Sequence, residues 1–124
     1  MSKKSNSEIL DIIQGSTGTR AYYKVSPYSG APVATDGVIA LAKAAECFWL
    51  LDLIISYRGN KKLDPEIQVW KLIVDLPNQT ALVRGYNNPT ELPIVSQYIP
   101  YTDFPLAEVK LYLINGVILL PSEY

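Results

Sequence analysis

The run Glu108-Val109-Lys110-Leu111-Tyr112-Leu113-Ile114-Asn115-Gly116-Val117-Ile118-Leu119-Leu120 decides the fold class of this chain. Alternating apolar residues flank an Asn-Gly pair. A type I′ turn needs positive φ at both central residues, and Asn-Gly accepts that at least cost. The run therefore predicts a β-hairpin in which Ile114 faces Val117 and Tyr112 faces Leu119. Pro121 has no N–H to give to a ladder and ends it.

Working backwards, residues 66–74 alternate as a strand, with Trp70, Leu72 and Val74 on one face and Ile67, Val69 and Ile73 on the other. Leu76-Pro77-Asn78-Gln79 is a turn, and residues 80–86 form a second strand beside the first. Residues 93–99 form a third, and its marginal prolines suit a sheet edge. Tyr101-Thr102-Asp103-Phe104-Pro105 reads as a loop.

The segment 37–58 is helical in pattern. Thr35 or Asp36 supplies the N-cap, and Gly59-Asn60 supplies the stop. Val38, Leu41, Ala42 and Ala45 make one stripe; Cys47, Leu50, Leu51, Ile54 and Ile55 make another, rotated about the axis. The pattern allows one helix buried on several sides, or two helices broken near Ala45 and Glu46. Ahead of it lie a short helix over residues 7–14, capped by Ser7 or Asn6, and a loop through Gly15-Ser16-Thr17-Gly18-Thr19. A strand over 20–25 and a turn-rich connector over 27–32 follow. Helices first and then a run of strands predict an α+β domain. A central apolar helix, single or broken, packs on a C-terminal antiparallel meander of four to five strands. Residues 1–124 are expected to form one domain, with 1–6 disordered.

The catalytic inventory is thin. The chain of 124 residues has no histidine and one cysteine. That removes Ser-His-Asp and Cys-His arrangements and thiolate or imidazole zinc sites. No acidic calcium-loop motif is present, and Gly15-Ser16-Thr17-Gly18 lacks the following helix and Gly-Lys-Ser/Thr of a phosphate loop. Neither catalytic nor metal-binding residues are assigned, and no cofactor is implied. Cys47 sits in an apolar run and reads as a small core residue.

Net charge is −1, but unevenly spread: residues 1–62 carry eight cations and five anions, whereas 63–124 carry three cations and seven anions. The small clusters Lys3-Lys4 and Arg58, Lys61, Lys62 weigh against dedicated nucleic-acid binding, which wants a broader basic surface. No apolar leader and no uncharged stretch of about 20 residues is seen, so the expected location is cytoplasmic, with no membrane contact.

Two features invite a functional reading. Asp52 interrupts an apolar helix face, and a buried carboxylate needs a partner, a route to solvent or a proton. A bond to a sheet residue or a tyrosine hydroxyl is the leading solution, with a functional pocket or a plain exposed position as the alternatives. Tyrosine outnumbers phenylalanine nine to two, and Tyr86, Tyr98, Tyr101, Tyr112 and Tyr124 fall in or beside strands. Tyrosine offers contact area and a polar tip at low entropic cost.

The strings Thr35-Asp36-Gly37-Val38, Phe48-Trp49-Leu50-Leu51-Asp52, Gln68-Val69-Trp70-Lys71-Leu72, Tyr101-Thr102-Asp103-Phe104-Pro105-Leu106 and Gly116-Val117-Ile118-Leu119-Leu120-Pro121-Ser122-Glu123-Tyr124 together resemble a bacterial family of small uncharacterised proteins, a domain of unknown function also seen in cyanobacteria, plasmids and phages. The resemblance spans roughly residues 15–124 and lends no catalytic residues. It implies a free-standing domain that binds or inhibits another macromolecule.

Three expectations follow. The leading one is a non-enzymatic interaction domain using Tyr86, Tyr98 and Tyr112, with itself or another protein as partner. The second is a small-ligand or enzymatic site around Asp52, Tyr101 and Asp103. The third is a nucleic-acid-binding accessory protein using Arg58, Lys61, Lys62 and the N-terminal lysines.

Overall fold

Asn115 and Gly116 both have positive φ, at 50° and 81°, and the strands they join pair in the expected register, Ile114 with Val117 and Tyr112 with Leu119. The structure, a computed structural model, describes residues 5–15, 21–27 and 30–124. The loop expected at 16–19 and the Lys3-Lys4 cluster lie outside the described residues.

The strands are β1 (Tyr22–Lys24), β2 (Val33–Thr35), β3 (Ile67–Asp75), β4 (Thr80–Tyr86), β5 (Val95–Ile99), β6 (Glu108–Ile114) and β7 (Val117–Leu119). They form one sheet in the order β1-β2-β7-β6-β3-β4-β5. Every pairing is antiparallel except β2 with β7. The α+β class holds, but the sheet is larger than the expected four to five strands and is not a simple meander. After β5 the chain returns across the sheet and lays β6 beside β3, giving the spatial order of a Greek key. The crossing loop is tied to the β3–β4 turn: the Thr102 N–H donates to the Gln79 carbonyl at 2.8 Å, and the Val74 N–H donates to the Ala107 carbonyl at 2.8 Å. Phe104, buried, plugs that end of the core. Strand β2 was not foreseen, because three residues are too few to show a period.

The helices are α1 (Asn6–Gly15), α2 (Asp36–Ala45) and α3 (Phe48–Ser56), with a 3₁₀ turn at Pro121–Glu123. The 37–58 segment is two helices, broken where the stripes diverge. Glu46 ends α2 in the left-handed conformation at φ 54°. This turn lets Leu41, Ala42 and Ala45 of α2 and Leu50, Leu51, Ile54 and Ile55 of α3 join one core. Ser5 caps α1, one residue before the expected caps; its Oγ accepts from the Glu8 N–H at 3.3 Å.

One face of the sheet meets these helices. Trp70, Leu72, Val74, Ala81, Val83, Val109, Leu111, Leu113 and Ile118 are buried there. Trp70 is fixed by a chain of bonds: its Nε1–H donates to Gln68 Oε1, and Gln68 Nε2 donates to the Asp64 carbonyl, each at 2.9 Å. Its ring packs on Tyr57, 5.7 Å between centroids, and the Tyr57 hydroxyl donates to Gln97 Oε1 at 2.6 Å. These bonds tie α3 to the edge strand β5. Among the described residues no helix is long and apolar enough to cross a membrane.

Candidate functional site

The opposite face of the sheet contributes nothing to the helix-packed core cluster. Its residues follow from strand parity: positions 67–75 odd in β3, 80–86 even in β4, 96 and 98 in β5 and 108–114 even in β6. Pairing registers then arrange them in rows. One row is Leu119–Tyr112–Val69–Tyr86. The next is Lys110–Lys71–Arg84–Ser96. The third is Glu108–Ile73–Leu82–Tyr98.

The second row is unusual. Residues 63–124 contain only three cations, Lys71, Arg84 and Lys110, and the register places all three side by side. Neighbouring strands lie about 4.8 Å apart. Like charges directly across a strand pair destabilise a sheet, and here two such pairs occur in succession. No carboxylate shares the row. Lys71 finds partial compensation in the Tyr86 ring, with Nζ 5.2 Å from its centroid. Arg84 Nε is buried and has no acceptor among the described residues. All three cations are half-buried, their stems lying on the sheet.

The three tyrosines named from the sequence therefore share this face. They differ in access. Tyr98 on β5 is 61% exposed, whereas Tyr86 is 7% exposed beneath Lys71. Tyr112 is half-buried and meets the ring of Tyr124 edge-on, 5.4 Å between centroids. The carboxylates on the face, Glu108 and Asp75, lie together at the end where β3 turns into β4 and β6 begins.

Asp52 is not the buried acid that its apolar neighbours suggested. It is exposed on α3, in a shallow recess lined by Val25, Ser26, Pro27, Ile55, Ser56 and Arg58. A nine-residue helix leaves some positions facing solvent even when most are apolar, and Asp52 occupies one. The expected bond to a sheet residue or tyrosine is replaced by solvent. Tyr101 and Asp103 are exposed on the β5–β6 loop and line no part of that recess. Arg58, Lys61 and Lys62 sit on the connector between α3 and β3, off the open face. Cys47 is buried and forms no disulfide. No group of three or more potential metal ligands occurs among the described residues.

Lys71, Arg84 and Lys110 escaped the sequence reading because each is an isolated cation in an otherwise apolar strand. Alternation gave their face; only the return of β6 to β3 brings them together.

A family model, a family of unknown function (DUF6876), matches residues 7–124, and the chain belongs to that family. Comparison with curated proteins and comparison with solved structures each return no match.

Proposed function

Starting from a family with no assigned activity, we propose that this domain is a non-enzymatic binding module. Its working surface is the open face across β6, β3, β4 and β5, and its partner is anionic. The observation that carries this reading is the unneutralised row Lys110–Lys71–Arg84. A sheet with no partner for this row accepts repulsion at its centre, and an anionic ligand removes it. The tyrosines on the same face supply contact area beside the charge.

The row also bears on self-association. Stacking two copies face to face over this row would set six cations against one another, so a different, anionic molecule fits the surface better. A bacterial, mobile-element setting and a cytoplasmic location are compatible with a small module of this kind, its one thiol buried.

The test is an NMR titration of the full chain with a heparin oligosaccharide, used as a generic polyanion. Amide shifts centred on Lys71, Arg84, Lys110, Tyr98 and Tyr112 support the reading. Shifts centred on Asp52, Arg58, Lys61 and Lys62, or no shifts at low salt, overturn it.

A further inference from the structure

We propose that the anionic partner of the open face is single-stranded nucleic acid. This rests on the reading of that face as the binding surface and adds the ligand's chemical class.

The geometry that points to it is a diagonal across four strands. Tyr112 on β6 lies in the row beside the cations, Lys71 and Arg84 lie in the cation row on β3 and β4, and Tyr98 on β5 lies in the row beyond. With strands about 4.8 Å apart and about 7 Å between same-face residues along a strand, this track runs roughly 20 Å. It has a ring at each end and two cations between. Tyr124 extends the Tyr112 end by its edge-on contact.

A single strand presents the matching sequence of groups: bases that stack on aromatic rings, and phosphates between them that pair with cations. The carboxylates Glu108 and Asp75 lie at one corner of the face, off this diagonal, so a polyanion following it avoids them. The Arg84 side chain, half-buried in the cation row, offers a guanidinium that a phosphate oxygen can pair with. A duplex fits less well. Its bases are already stacked, and the open face projects no helix or ribbon into a groove. An acidic protein segment would satisfy the cations but leave the alignment of rings and charges without a use.

The experiment is fluorescence anisotropy of labelled dT20 and rU20 with the full chain at low and moderate salt, with a labelled duplex of equal length as control. We expect both single strands, or one of them, to bind more tightly than the duplex, with affinity falling as salt rises. The arm that binds better identifies DNA or RNA as the source. Lys71→Gln/Arg84→Gln should weaken binding by tenfold or more. Tyr98→Ala, an exposed position that the fold does not need, should weaken it by at least about fivefold. Lys61→Gln/Lys62→Gln, off the face, should leave it unchanged.

Loss on the charge variant without loss on Tyr98→Ala or Tyr112→Ser overturns the inference, because the rings then take no part. So does absence of single-strand binding while a heparin oligosaccharide still binds the face; the open face would then stand as a binding surface for another anion. Single-strand binding that the face variants do not change overturns both the inference and the open-face reading.

Discussion

The indole of Trp70 fills the space that a side chain at Gly85 would need. The two residues are cross-strand partners on β3 and β4, and a Cβ at position 85 would lie 2.8 Å from both Cη2 and Cζ3 of Trp70. The ring has little freedom to retreat. Its N–H is held by Gln68, its face meets Tyr57, and the residue is 1% exposed.

Gly85→Ala should therefore destabilise the fold by overpacking, by about 1–3 kcal/mol. Urea unfolding would show this as a lower midpoint at an unchanged m-value. An unchanged midpoint would mean that the Trp70 ring moves freely, against the bonding that surrounds it.

The C-terminal turn is held in a similar way. Thr35 caps α2, its Oγ1 accepting from the Val38 N–H at 3.2 Å, and its hydroxyl donates to Glu123 Oε1 at 2.7 Å. That oxygen also accepts from the Leu120 N–H at 2.9 Å. Gly37 leaves room for the carboxylate, since a Cβ there would lie 2.7 Å from Glu123 Oε2. Thr35→Val removes the cap and one partner of a largely enclosed carboxylate, and should cost about 2 kcal/mol. Combined with Glu123→Gln in a double-mutant cycle, the two losses should fall short of additivity by at least about 0.5 kcal/mol. Strict additivity would show that the two groups act independently.

Asp52→Asn offers a contrast. The carboxylate is exposed on α3, so its replacement should leave stability within about 0.5 kcal/mol. It should also leave heparin binding unchanged, because the residue is not on the open face. A large change in either measurement would restore Asp52 as a site residue.

How much of this was legible in the sequence depends on the range of each interaction. Alternation in β3, β4 and β6 and the Asn115-Gly116 turn are local, and they gave the faces of Trp70, Val69 and Tyr112 correctly. The divergence of apolar stripes in α2 and α3 allowed a break near Ala45 and Glu46 but did not decide it, and the left-handed Glu46 makes that break. For Asp52 the structure selects the exposed alternative over the leading one, because local hydropathy reports the average burial of a helix and not the one direction that faces water. The return of β6 to β3 depends on how a loop closes over the core, with Phe104 buried beneath it, and no local signal carries it. The cation row depends on that return, so single lysines and an arginine well apart in the chain read as unremarkable surface charge.

The row itself makes a prediction of opposite sign for stability and binding. Lys71 is flanked in register by Lys110 on one side and Arg84 on the other. Lys71→Glu converts both like-charge pairs into opposite-charge pairs, each favourable by roughly 0.2–1 kcal/mol. It also removes the cation–π interaction with Tyr86, which is worth about 0.5–1 kcal/mol. Relief of two repulsions and gain of two attractions together outweigh that single cation–π term. The variant should therefore be more stable than the natural chain by about 0.5–1 kcal/mol at low ionic strength. The gain should shrink as salt screens the row. The same substitution should weaken heparin binding by at least tenfold, since it places a carboxylate at the centre of the proposed anion-binding strip. A residue that costs stability yet is needed for binding is the expected signature of a functional surface. A variant less stable than the natural chain at low salt would show that the row is not repulsive and needs no anionic partner to relieve it.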